Sequence, residues 1–293
     1  MRALLTTTLL TVSLSLTSCG NWNIGKQGKP YGFSGFATVR HDAKETVLLT
    51  VHDNKKSGEP RLGLVTMAEK KPVKYEGLVW PDSVNIPIDG EALCKYPIGE
   101  NTYVVMSSMG KCFLFTFDQA SKQIAVTGRF DLPEAPKGSN FEGLDFRLLN
   151  DTAMAAIWGH RGQDEDPAVI YSGVFNPRTM KFANILSLPF KTPFPKKKVR
   201  YISDMKMDEA GTLYVVSSSD TGDNGPYESA VYIVGNIRFN GTQASITSNS
   251  QYVRLFTDTK HKIEAMELVP GEFGGIIYGT DDENKGASIQ FVK

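Results

Sequence analysis

Several chemistries are missing from this 293-residue chain. It holds only 3 cysteines and 4 histidines, and His41, His52, His160 and His261 show no metal-ligand spacing. Zinc centres need nitrogen or sulfur donors at short fixed intervals, so none is indicated. There is no phosphate-binding GxxxxGK[ST] loop, no HExxH pair and no GxSxG nucleophile elbow. The 32 Lys+Arg balance the 32 Asp+Glu, so no net charge points to nucleic acid or to an acidic partner. No stretch keeps a helical period for three turns, which leaves an all-β chain. What is present is an ordinary globular composition, 41% hydrophobic and 22% charged.

The N-terminus stands apart from the rest. Arg2 precedes a Leu/Thr/Ser/Val run from Ala3 to Leu16, and small residues follow. A basic start, an apolar core and a small-residue end describe a secretion signal over residues 1–18. The run is too short and too rich in Thr and Ser for a transmembrane helix. Leu16-Thr17-Ser18-Cys19 resembles the lipobox of bacterial lipoproteins. That resemblance implies cleavage before Cys19 and lipid on its thiol, anchoring residues 19–293 to the membrane of the cell envelope. The other two cysteines, Cys94 and Cys112, fall on strands two positions apart in one sheet, roughly 9–10 Å. A disulfide does not span that distance, so two buried free thiols are expected.

Five segments look alike: Gly32–Val39, Gly90–Tyr96, Phe141–Phe146, Ile202–Met207 and Ile263–Leu268. Each sets one oxygen-bearing residue near its start and then alternates apolar and polar. These residues, Ser34, Glu91, Glu142, Ser203 and Glu264, recur roughly every 55 residues, which is the mark of a repeat architecture. Each unit divides into four strands separated by turn residues such as Asp208-Glu209-Ala210-Gly211. The fourth unit, for example, reads Tyr201–Asp208, Leu213–Ser218, Ala230–Arg238 and Tyr252–Phe256. The last unit has only three, Ile263–Val269, Gly275–Gly279 and Ala287–Val292. An unpaired edge invites aggregation. Asn21–Lys26 is left over and could supply the missing strand. The expectation is a single domain, a five-bladed β-propeller of four-stranded blades closed by an N-terminal strand.

In a propeller the first strand of each blade is innermost, so the five oxygens face one channel. Three carboxylates that close repel one another. Either water solvates them or a cation sits among them. With oxygen donors only, that cation would be hard, and calcium suits loose all-oxygen shells. The order Ser, Glu, Glu, Ser, Glu on inner strands resembles the calcium-activated nucleotidases, the soluble apyrases of animals and blood-feeding arthropods. Tyr201–Met207, Lys262–Leu268 and Gly32–Ala37 carry the likeness best. The resemblance implies a five-bladed propeller with calcium in its channel, held by Ser34, Glu91, Glu142, Ser203 and Glu264. That family's nucleotide-contacting residues have no match in the outer loops of this chain.

The exits of the second strands ring the channel mouth. They carry His52-Asp53-Asn54, Ser107-Ser108, His160-Arg161, Ser219-Asp220 and Thr280-Asp281-Asp282. Lys196-Lys197-Lys198-Val199-Arg200 and His261-Lys262 share that face. Arg161, Arg200, Lys198 and Lys262 could hold phosphate oxygens of a small phosphorylated ligand, and Asp53, Asp220 or Asp281 could orient a water. The bland alternative is a set of solvated loop charges. Asp220-Thr221-Gly222 reads as a turn, since an aspartic protease dyad needs two copies. Asp164-Glu165-Asp166 is an acidic loop, solvated or holding a peripheral cation. Two functions follow: an envelope binding or scaffold protein with a structural calcium, or a calcium-dependent nucleoside di- or triphosphate phosphohydrolase.

Overall fold

Short apolar-alternating strands joined by tight turns build the chain in a computed structural model. It describes residues 21–69, 71–81, 85–133, 138–240 and 243–293. The first strand, β1 (Asn23–Ile24), belongs to the ring closure. Blade 1 is β2 (Gly35–His41), β3 (Glu45–Val51), β4 (Leu62–Ala68) and β5 (Lys74–Leu78). Blade 2 is β6 (Gly90–Lys95), β7 (Thr102–Ser107), β8 (Lys111–Asp118) and β9 (Gln123–Asp131). Blade 3 is β10 (Phe141–Asn150), β11 (Ala153–His160), β12 (Ala168–Asn176) and β13 (Lys181–Phe190). Blade 4 is β14 (Val199–Met207), β15 (Thr212–Ser219), β16 (Ser229–Asn240) and β17 (Gln243–Asp258). Blade 5 is β18 (Ile263–Val269), β19 (Gly275–Thr280), β20 (Ser288–Val292) and β1. The all-β fold is therefore the expected five-bladed propeller.

Its closure is also the expected one. β1 pairs antiparallel with β20, Asn23 opposite Ile289 and Ile24 opposite Ser288. Gly25 N–H donates to Ala287 O at 2.9 Å, and Ala287 N–H donates to Lys26 O at 2.9 Å. Trp22 packs at the blade 4–blade 5 seam, and its Nε1–H donates to Asp258 Oδ2 at 2.9 Å. The terminal strand thus satisfies the β20 edge with backbone bonds and anchors itself with an aromatic ring.

The apolar side chains collect into five clusters, one at each blade–blade seam. The largest lies between blades 2 and 3, where Trp158 stacks on Tyr171 with ring centroids 5.6 Å apart. Cys94 and Cys112 are buried free thiols in that seam. Each fully buried side chain of this size contributes about 1.5–3 kcal/mol. Two glycines let inner strands approach closely. A Cβ on Gly35 would stand 2.7 Å from Leu93 N, and one on Gly143, at φ +82°, 2.7 Å from Met205 N. Among the described residues no helix is long and apolar enough to cross a membrane.

One strand departs from expectation. β17 begins at Gln243 rather than Tyr252 and pairs with β16 back to Asn240. Its first half, rich in Ser, Thr, Asn and Gln, reads as loop. It is nonetheless an outermost strand, largely facing solvent, with Ile246 packed against the seam of blades 3 and 4.

Candidate functional site at the channel mouth

The five repeat oxygens stand where the inner strands begin. Four of them fall on a break in register between first and second strands. The breaks lie between Gly90 and Ala92, Phe141 and Leu144, Arg200 and Asp204, and Ile263 and Ala265. Glu91, Glu142, Ser203 and Glu264 occupy them. Ser34 lies just ahead of β2, its N–H donating to Val51 O at 3.0 Å. A bulge re-aims a side chain out of the pleat, which is a common device beside binding sites. Ser34, Glu142, Ser203 and Glu264 are buried, and Glu91 is partly exposed.

Arg161 Nη1 reaches Glu142 Oε1 at 3.2 Å. Glu264 Oε1 receives Arg200 Nη1 at 3.0 Å and Lys262 Nζ at 3.2 Å. Arg200 Nη2 donates to Asp220 Oδ2 at 2.5 Å. Lys262, itself buried, also reaches Glu283 Oε1 at 2.9 Å. Ser203 Oγ–H donates to Ile263 O at 3.0 Å. Ser34 Oγ and Arg200 Nε are buried without a hydrogen-bond partner among the described residues. Among the described residues no three His, Cys, Asp or Glu side chains are grouped to hold a metal ion.

Carboxyl groups outnumber bases here. Glu91, Glu142, Glu264, Asp53, Asp220 and Asp281 face Arg161, Arg200 and Lys262. Burial holds the Glu91 carboxyl well above the ordinary range, and Glu142, Asp53, Asp89 and Glu264 push it further. Burial lifts Glu142 to about 7 although Arg161 and Arg200 oppose it. Burial, then Glu264, raises Asp53, with Lys262 opposing. Burial raises Asp281 well above its usual value, again against Lys262. For Asp220, Arg200 and the Gly222 N–H outweigh burial, and its pKa is lowered.

Three residues beyond the ring the axis is filled. Lys206 from β14 crosses to blades 1 and 2, its Nζ donating to Phe36 O at 3.0 Å and Leu93 O at 2.7 Å. Glu267 Oε2 of blade 5 lies 3.5 Å from the same ammonium. The acids around it link neighbouring inner strands. Asp145 Oδ2 accepts Met207 N–H at 2.9 Å, Asp204 Oδ2 accepts Met266 N–H at 2.6 Å, and Glu267 Oε1 accepts Thr38 N–H at 2.8 Å. These bonds run from blade 3 to 4, 4 to 5 and 5 to 1. Burial raises Asp145 to about 6 and Asp204 to about 7, with Lys206 opposing both. For Lys206, burial lowers the pKa but Glu267, Asp204 and Asp145 more than offset it, so it stays charged. The channel is therefore closed beneath the mouth by a lysine plug. The sequence reading passed over this layer. Its signal was the repeat itself: Asp145, Lys206 and Glu267 each stand three places after a ring residue.

The mouth loops sort differently. Arg161, Arg200, Lys262, Asp53, Asp220 and Asp281 all join the mouth, while Lys196, Lys197 and Lys198 are exposed outside it. His52 is buried and neutral, lowered to about 4 by burial. Its Nδ1–H donates to Gly32 O at 2.6 Å, and Tyr75 OH donates to its Nε2 at 3.0 Å. Asp164 Oδ1 accepts Val199 N–H at 3.0 Å, which gives that acidic loop a structural task. Asp220 Oδ1 accepts Gly222 N–H at 3.2 Å, closing the expected turn. Residues 1–18 and Cys19 lie outside the described residues.

No protein-family model matches the sequence, and no curated protein does. Solved structures do resemble it in shape. An endo-arabinase from Bacteroides thetaiotaomicron aligns over 93% of this chain and 98% of its own, with TM-score 0.53 and 10% identity. An exo-β-1,3-galactanase from Clostridium thermocellum aligns over 88% of this chain, with TM-score 0.47 and 9% identity. A Bombyx mori β-fructofuranosidase aligns over 93%, with TM-score 0.48 and 13% identity. The chain spans only 58% and 61% of those last two. At such identities the likeness to the endo-arabinase shows a shared propeller fold and no common chemistry.

Proposed function

We propose that this is a binding propeller of the cell envelope, whose blind mouth takes a cation, and that calcium suits its donors best. The carrying observation is the surplus of carboxyl groups at a mouth closed beneath by Lys206. Low-dielectric walls focus such a field on whatever enters. Among the described residues Ser34 Oγ has no partner, and Glu91 forms none of the ion pairs that tie Glu142 and Glu264. Oxygen donors of this kind fit a hard cation. Ser34, Glu91 and Asp53 would hold it, with Glu142, Ser203 and Glu264 behind them. Bound there, the ion would neutralise the mouth and tie blades 1 and 2. A ready-made cage is absent among the described residues, so water completes the shell.

The test is melting in calcium against chelator. Hundredfold excess over the dissociation constant adds about 2.7 kcal/mol, worth about 5 °C or more for a chain this size. Glu91→Gln should reduce the rise. Identical melting in both conditions contradicts the reading.

The phosphohydrolase reading rests on Arg161, whose Nη2 meets Gln163 Oε1 at 3.4 Å and no other acceptor among the described residues, leaving it open to a phosphate oxygen. Phosphate release from a nucleoside diphosphate in calcium would favour it. The lipid anchor on Cys19 belongs to the same proposal, and mass spectrometry of the mature N-terminus reads it directly.

A further inference from the structure

The face opposite the mouth carries a recess, at the seam where blades 5 and 1 close the ring. It encloses about 610 Å³, within the size range of small-molecule sites. Its apolar wall is Met67, Val73, Phe273 and Phe291. Phe273 is exposed and extends the partly buried apolar surface of Met67, Val73 and Phe291. The rim carries Lys44, Lys71 and Lys293. Lys293 Nζ lies 5.9 Å from the centroid of the Phe291 ring. The acids of the same wall are engaged. Arg40 pairs with Asp42 at 2.8 Å and also with Glu45, and Glu69 has a partner of its own. His41 uses both ring nitrogens, one with Thr46 Oγ1 at 2.8 Å and one with Phe273 O at 2.9 Å. It thereby fixes the Phe273 turn against β2. An entering solute meets a fixed apolar wall and lysines that form no ion pair within the described residues.

We propose that this recess binds a small amphipathic anion, an aliphatic or aromatic chain ending in a carboxylate or similar group. The chain lies along Phe273, Phe291, Met67 and Val73, and the anionic end sits between Lys44 and Lys71. Charge complementarity selects this occupant over neutral or cationic amphiphiles of equal length. The site is separate from the mouth and does not depend on the cation reading.

Titration calorimetry with decanoate, below its micelle concentration, tests it on the full mature chain. Saturable binding is expected, with decyl maltoside and decyltrimethylammonium binding much more weakly. Lys44→Glu with Lys71→Glu should weaken decanoate by about tenfold or more. Phe273→Ser, at an exposed turn, should also weaken it without loss of fold. Equal binding of the neutral amphiphile, or unchanged affinity in the double variant, overturns the proposal. So does binding seen only once the residues before Asn21 are removed, which would assign the recess to that segment. A dimer through this face that decanoate does not perturb overturns it as well.

Discussion

A lysine buried on a propeller axis is tolerable only when its charge and its donors are answered. Lys206 meets two carbonyls and Glu267, with Asp145 and Asp204 close enough to hold it ionised. Taking a pair of charges from water costs several kcal/mol, and leaving one partner behind costs more. Lys206→Met should therefore lower unfolding stability by about 3–5 kcal/mol in denaturant titration. A loss below about 1 kcal/mol would show that the acids around it relax without it. His261 offers a milder test. Burial alone would lower its pKa, but the hydrogen bond and charge of Asp282, 2.6 Å away, raise it. A raised histidine stabilises the fold fully below its ordinary pKa, and that stability is lost as pH rises through the folded value. Trp22 rests on this ring at 4.7 Å between centroids, so the terminal strand shares the effect. His261→Asn should flatten the fall in urea midpoint as pH rises above the ordinary histidine range. An unchanged slope contradicts it.

The elements carry function through their edges and breaks. β1 is only two residues long, yet it covers the open side of β20. Deleting Asn21–Lys26 should expose that edge and yield aggregates in light scattering. A monomer that stays soluble would show that β20 needs no cover. Much of this was legible. Second strands such as β7 run apolar, as in Tyr103–Met106, while inner strands alternate apolar and polar, and both patterns read as strand. The deficit of one strand in the last unit foretold the closure. The first half of β17 was not legible, because a largely solvent-facing outer strand carries little hydrophobic signal. The bulges under Glu91, Glu142, Ser203 and Glu264 were not legible either. They are set by pairing with the neighbouring strand, whereas the oxygens they re-aim stood out by their repeat.

On the scale of the molecule, one ring presents two unlike ends. The mouth holds carboxyl groups in surplus, partly balanced by Arg161, Arg200 and Lys262. The far face holds an apolar recess rimmed by lysines. Lys206 separates the two. Two of the three ring carboxylates, Glu142 and Glu264, have basic partners within the chain. Lys262 stands two places before Glu264, but Arg200 comes from the neighbouring inner strand, 64 residues away, a pairing that no local pattern announces. The open question is therefore narrow: whether the charge left over around Glu91 attracts a cation. Calorimetric titration of calcium into the mature chain and into Glu91→Gln, at one ionic strength, answers it most directly. The expected result is saturable binding of one ion by the native protein and a loss of about tenfold or more in affinity in the variant. No heat beyond dilution in either, or equal binding by both, would contradict a cation seat at the mouth.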